Sequence, residues 1–246
     1  MDFQKHELIW TDEKIRRFWD WMSNEPAYDD QYFSKVLGGA IVDFAVRRGN
    51  LPRTGAVLDF GCGPGNLLEK LLESGIACSG AEFSQGSIQK AFSRLSSKPG
   101  FGGIIQINDF PIPKDAGSFD FIFLIETVEH IKPEAFDETT REIHRLLKPR
   151  GRVMITTPYR EDLKASGVLC SDCGAIFHRM QHLRSWSDDD LRADMERRGF
   201  RTVICEGTDL LNPGLERFAI RFLRNVKSLF SRKQRKTEHL IYIGEK

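Results

Sequence analysis

Three groups of side chains in this sequence could do chemistry. The first lies in residues 57–68, VLDFGCGPGNLL, where an apolar run ends in Asp59 and turns at once through Gly61, Gly63 and Gly65. Glycine admits positive φ and lets a ligand approach the backbone with no Cβ between, and the helix start read from Asn66 onward points free N–H groups at the same place. The spacing is G-x-G-x-G, not the G-x-G-x-x-G of a dinucleotide site, and no Gly-Lys-Ser/Thr follows as in a phosphate loop. A ligand with the character of a charged amino acid suits it better. The second group is Glu126, Glu129 and His130, just past the apolar run of residues 119–125; an imidazole titrating near neutral pH suits proton acceptance from a hydroxyl. The third is Cys170, Cys173, His178 and His182, spaced C-x2-C-x4-H-x3-H. Two thiolates on a tight turn and two histidines one helical turn apart could close on a tetrahedral zinc. Alternatively, the cysteines are buried hydrophobes and the histidines line a substrate pocket.

Local patterning says which elements position these groups. Residues 11–23 start with a Thr cap and acidic first turn and place Ile15, Phe18, Trp19 and Met22 on one helical face. A second helix over residues 30–48 ends at Gly49-Asn50. A strand enters the glycine turn, a helix carries Leu67, Leu68, Leu71 and Leu72, and a second strand ends in Glu82. Ser84 caps a further helix, residues 102–108 read as a third strand, and residues 119–125 as a fourth, apolar enough to be buried on both faces. A helix from Pro133 and a fifth strand follow. Residues 159–187 show no clear periodicity and read as an insertion. A helix over 188–198 and two strands, FRTVICEG and EHLIYIGEK, close the pattern. Between those strands an apolar stripe from Leu215 to Phe230 recurs at helical spacing beside many Arg and Lys residues.

On these residues the chain resembles the class I S-adenosylmethionine-dependent methyltransferases, whose first motif is a hydrophobic run followed by D-x-G-C-G-x-G. The resemblance spans roughly residues 55 to 158. It implies an α/β, doubly wound, mostly parallel seven-stranded sheet of Rossmann-like methyltransferase type, with N-terminal helices and an insertion after the fifth strand. It further implies S-adenosylmethionine bound at Asp59, Gly61, Cys62, Gly63 and Gly65, Glu82 on the ribose, Phe83 against the adenine, Asp109 and Phe110 reading the adenine edge, and Glu126 at the cofactor. Glu82 stands where the family commonly has Asp, and Pro149-Arg150-Gly151 where it commonly has Pro-Gly-Gly. The V-E-H-I context of His130 resembles small-molecule O-methyltransferases of the ubiquinone-biosynthesis type, which makes His130 the candidate base, with Tyr159 and His178 next. His144, on a helix interior, reads as structural.

Length and composition bound the alternatives. The 246 residues suit one methyltransferase domain: a helical cap (1–50), a cofactor-binding half (51–158), the Cys/His insertion (159–186) and a C-terminal half (187–246) carrying the amphipathic basic helix 214–231. A formal net charge of +1 gives no global field for nucleic acid, which speaks against a zinc-bearing nucleic-acid-binding module. The glycine spacing speaks against a nicotinamide oxidoreductase. The acceptor is expected to be a small molecule methylated at a hydroxyl oxygen; an RNA or protein acceptor stays open. No apolar run reaches a membrane span and the start lacks a signal-peptide core, so a cytoplasmic location is expected, with helix 214–231 docking on the sheet, on a dimer partner or on anionic lipid. The cofactor that the resemblance implies is S-adenosylmethionine, with one structural zinc expected if the Cys/His cluster closes.

Overall fold

The computed structural model describes residues 4–210 and 239–246; the expected helix 214–231 lies outside the described residues. The glycine turn joins strand β2 (Val57–Phe60) to helix α3 (Asn66–Glu73). Strands β3 (Cys78–Glu82), β4 (Phe101–Gln106), β5 (Phe119–Ile125), β6 (Leu147–Pro158), β9 (Arg201–Thr208) and β10 (His239–Glu245) complete a seven-stranded sheet ordered β4-β3-β2-β5-β6-β10-β9. Only β10 runs antiparallel to its neighbours among these pairings. The order reverses between β2 and β5, so a crevice opens at the carboxyl ends of these two strands, where open α/β sheets bind ligands. The doubly wound, seven-stranded sheet expected from the sequence is thus present.

The sheet is buried on both faces because its central strands are apolar at most positions, Asp59 and Asp120 excepted. In β5, Phe121 and Phe123 face the cluster formed with α2 (Phe33–Arg47) and α3, while Ile122 and Leu124 face α5 (Pro133–Leu146) and α6 (Asp188–Arg197). Each such side chain withdrawn from water contributes about 1.5–3 kcal/mol. Two glycines set spacings that matter for the site. A Cβ at Gly80 would meet the Cys62 sulfur at 2.6 Å, so Gly80 is what admits Cys62 beneath the loop, and a Cβ at Gly65, held at φ 81°, would meet Leu95 at 2.9 Å. Helix α1 (Asp12–Asn24) is capped by Thr11, whose hydroxyl accepts from the Lys14 amide, and α4 (Gln85–Leu95) by Ser84. Ser84 also donates to Asp20 at 2.6 Å, which fixes α1 across the carboxyl end of the sheet.

The insertion is ordered in a way its sequence does not announce. Strands β7 (Gly167–Leu169) and β8 (Ala175–His178) form an antiparallel hairpin, and β1 (His6–Glu7) adds to β8 in parallel. The N-terminal segment and the insertion are therefore one small sheet, linked by the amides of His6 and Leu8 donating to Gly174 and Ile176. Among the described residues no helix is long and apolar enough to cross a membrane.

Gly174 adopts φ 80°, and a Cβ there would lie 2.4 Å from the carbonyl oxygen of Gln4. Gly174→Ala combines a left-handed backbone cost of about 1–2 kcal/mol with that clash. Amide exchange at His6 and Leu8 is expected to accelerate at least about tenfold while cofactor affinity holds. Unchanged protection there would show that β1 does not depend on this turn.

Candidate active site

The turn after β2 is held open by backbone geometry and one buried carboxylate. Gly61, Gly63 and Gly65 sit at φ 76°, 50° and 81°, conformations that cost L residues a clash between Cβ and carbonyl. A Cβ on Gly61 would also press on Thr127 at 3.0 Å. The amides of Gly61 and Cys62 both donate to the Ala81 carbonyl. Glu82, 4% exposed, accepts from Gly63 N–H through Oε2 and from Phe83 and Ser84 N–H through Oε1, each at 2.8 Å. Burial raises its pKa, and the three amides pull it back down. A carboxylate offers about four lone-pair sites, so Oε2 keeps one for a ligand. Asp59 lies beneath the loop, 2% exposed; burial and then the Glu82 charge lift its pKa to about 8. Cys62 is a buried thiol whose pKa is held high by burial, which makes it a packing residue.

From this loop a cavity of about 510 Å³ runs to the end of β5, lined by Gly61–Pro64, Glu82, Phe83, Asn108, Phe110 and Glu126 on one side and by Trp19, Met22, Glu129, His130 and His182 on the other. Glu126 holds φ 44° while its amide donates to the Thr156 carbonyl, a strained backbone at the carboxyl end of the sheet. Its Oε1 is buried without a hydrogen bond, 3.6 Å from His239 Nδ1. Glu129, 1% exposed, accepts from the Thr157 hydroxyl on Oε2 and leaves Oε1 unpaired. His130 packs edge-on to Trp19 and His182, and its Nδ1 lies 3.4 Å from the Gln181 carbonyl oxygen. Burial, then the neighbouring His182, lowers its pKa to about 3. It is a neutral hydrogen-bonding ring at neutral pH and a weak proton acceptor, short of the near-neutral base expected from its type.

The structure therefore brings Gly61, Cys62, Gly63, Glu82, Phe83, Phe110, Glu126 and His130 to one cavity, with Gly65 behind them at the start of α3. Asp109 is exposed and does not line the cavity; its neighbours Asn108 and Phe110 do. The Cys/His tetrad does not converge. Cys170 and Cys173 stand at the tip of the β7–β8 hairpin, whereas His178 closes β8 opposite Gly167, about 10 Å along the strand. Among the described residues the candidate ion-holding groups are Glu129–His130–His182 and Glu161–His178–His182, neither containing a cysteine. The other reading of the histidines fits in part, since His182 lines the cavity. Tyr32, whose hydroxyl is buried without a partner beside Gly63, and Glu161, which binds His182, were not singled out in the sequence. Neither sits in a motif; only three-dimensional proximity marks them.

Comparison with known proteins agrees with this geometry. A family model described as a methyltransferase domain matches residues 29–205. An uncharacterized methyltransferase of Geobacillus kaustophilus is 28% identical over 181 residues, covering 72% of this chain and 74% of its own. A ubiquinone biosynthesis O-methyltransferase of Pseudomonas aeruginosa is 30% identical over 105 residues, 41% of this chain and 43% of that one. The fold matches that of Burkholderia thailandensis 1,6-didemethyltoxoflavin-N1-methyltransferase, solved with its substrate and S-adenosylhomocysteine, at TM-score 0.64, 15% identity, and coverage of 99% of this chain and 93% of that one.

The Asp59 shift has a sign that can be measured. Its folded pKa is raised from 3.8 to about 8, so its contribution to stability is whole below pH 3.8 and is lost progressively as pH rises toward 8. Asp59→Asn, a neutral isostere, is expected to stabilise the unliganded protein relative to wild type more at pH 8 than at pH 5, by a margin of a few kcal/mol in denaturant titrations. An equal effect at both pH values would show that Asp59 is ionised in the folded state throughout.

Proposed function

This chain belongs to the class I S-adenosylmethionine-dependent methyltransferases, and from that premise we propose that it methylates a small molecule at a hydroxyl oxygen held near Glu129, His130 and His182. The observation that carries this reading is the single cavity joining the glycine loop to that cluster, walled on one side by Trp19 and Met22 of α1. Its volume is in the range of small-ligand pockets. Glu82 and Glu126 line the cavity and would face the cofactor's positive charge.

In this reading the cofactor's amino-acid end would meet the loop at Gly61 and Gly63 over Asp59, a ribose hydroxyl would donate to the free lone pair of Glu82 Oε2, and Phe83, Asn108 and Phe110 would line the adenine. Glu126 faces the methyl-bearing end. Transfer is an in-line displacement. A lone pair on the acceptor oxygen would bond to the methyl carbon as the carbon–sulfur bond breaks with its electrons going to sulfur, and the hydroxyl proton would pass to solvent water. The enzyme's contribution is mainly alignment, with His130 and its neighbours holding the acceptor oxygen and its proton. The O-methyltransferase relative supports oxygen as the acceptor atom.

Calorimetry with S-adenosylmethionine tests the cofactor half. Glu82→Ala removes both the ribose acceptor and the anchor of the loop, and at roughly 1.5–3 kcal/mol for a charged hydrogen bond it is expected to weaken binding at least about tenfold. Affinity unaltered by the change would sink the assignment. For the acceptor half, methyl transfer from labelled cofactor to small-molecule, RNA and protein pools is expected to label the small-molecule pool. His130→Ala, by misplacing the acceptor oxygen, should then lower turnover by about a hundredfold while leaving cofactor affinity within a few-fold. Turnover held within a few-fold would place acceptor activation elsewhere.

A further inference from the structure

We propose that Glu129, His130 and His182 form a binding site for one divalent transition-metal ion at the acceptor end of the cavity. One ligand atom from each lies within 4.8 Å of the other two. The hydrogen bonds around them leave one uncommitted lone pair on each. His130 Nδ1 faces the Gln181 carbonyl oxygen at 3.4 Å, so it carries the ring proton and Nε2 is bare, 3.7 Å from Glu129 Oε1. His182 Nδ1 is 2.5 Å from Glu161 Oε2, so it too carries the proton and leaves its other nitrogen bare. Glu129 Oε2 takes the Thr157 hydroxyl, while Oε1 is buried with no partner.

Glu129 Oε1 is a buried acceptor with no donor, a costly arrangement, and the half-buried His130 and His182 rings stand beside it. At 3.7 Å a proton shared between Glu129 and His130 does not make a hydrogen bond. A cation satisfies all three. The surrounding groups are those that metal-ligating histidines use: each ring gives its far N–H to a carbonyl or carboxylate. Glu161 is itself steadied by His178, which stacks on His182 at 4.3 Å with Nε2 3.3 Å from Glu161 Oε1, its Nδ1 accepting the amides of Met180 and His182.

Two imidazoles and one carboxylate favour zinc, cobalt, nickel or ferrous iron over magnesium or calcium, which prefer all-oxygen shells. Three protein ligands leave coordination positions open. Resting on the acceptor placement proposed above, an acceptor hydroxyl would occupy one of them, and the ion would lower its pKa where the neutral His130 ring cannot. The donor set excludes Cys170 and Cys173, so this is not the Cys/His knuckle suggested by spacing.

Full-length protein purified without a His tag and stripped with chelator would be titrated with cobalt(II), followed by visible absorption and by X-ray absorption at the cobalt edge. The expected result is one cobalt per chain with imidazole and oxygen scattering and no sulfur. Affinity should fall by about 10- to 100-fold in Glu161→Gln, saturation should be lost in His182→Ala, and Cys173→Ser should match wild type. Retained S-adenosylhomocysteine binding would show that each variant folds. No saturable cobalt in wild type, sulfur in its coordination shell, or saturation surviving His182→Ala overturns the site. Because cobalt binding is read without acceptor or turnover, its failure is separable from failure of the methyl-transfer reading, which would appear as absent S-adenosylhomocysteine binding by wild type.

Discussion

The cofactor half hangs on one buried anion. Glu82 is withdrawn from water, which penalises its charge, and amides from two different segments, Gly63 in the glycine turn and Phe83 and Ser84 at the end of β3, offset the penalty. Charge-assisted bonds of this kind are short and about twice as strong as neutral ones. The carboxylate therefore sets the position of the turn relative to β3. It also sets the start of α4, since Ser84, fixed by its amide, caps that helix and reaches Asp20 of α1. One interaction thus links loop, sheet end and the helix that walls the cavity.

The features legible in the sequence were those decided locally. The glycine turn, the Glu at the end of β3 and the uninterrupted apolar run of β5 are short-range signals, and backbone sterics and strand burial leave few ways to satisfy them. Strand order followed because parallel β-α-β units with one antiparallel closing strand admit few arrangements. Boundaries moved by a few residues: the second helix begins at Phe33, later than the acidic and aromatic start at Asp30 suggests, because residues 26–28 form a separate 3₁₀ turn.

What spacing misread was decided by long-range pairing. His178 and His182 lie four residues apart and read as one helical turn. In the fold His178 ends a strand, a tight turn follows with the Gln181 amide on the His178 carbonyl, and the rings stack because that turn folds the chain back. The strand is held by hairpin pairing with β7 and by β1, more than 160 residues earlier in the chain, which adds to its other edge. No local signal predicts that pairing. Asp109 shows the complementary error: a residue type able to read adenine sits at the expected place in sequence, but its side chain turns to solvent and its neighbours line the cavity. His130 lines the cavity, and burial lowers the pKa of its ring below the near-neutral value that its type suggests.

The same long-range pairing determines what the acceptor end can become. Gln181, fully buried at φ 60°, accepts from the Trp19 indole at 2.8 Å, donates to the His130 carbonyl at 3.0 Å and turns its own carbonyl toward His130 Nδ1. Helix α1, the segment after β5 and the insertion therefore meet at one residue. None of these contacts involves Glu82 or the glycine turn. Substitutions at residues 159–186 reach the acceptor space through Gln181 and His182, and reach the cofactor end through α1, whose Trp19 bonds Gln181 and whose Asp20 bonds Ser84. The physical division of this protein is accordingly between a cofactor end held by backbone amides on a carboxylate and an acceptor end held by side chains from three segments. Residues 4–24 and 159–186 meet at the second, joined by β1 and by the Trp19–Gln181 bond.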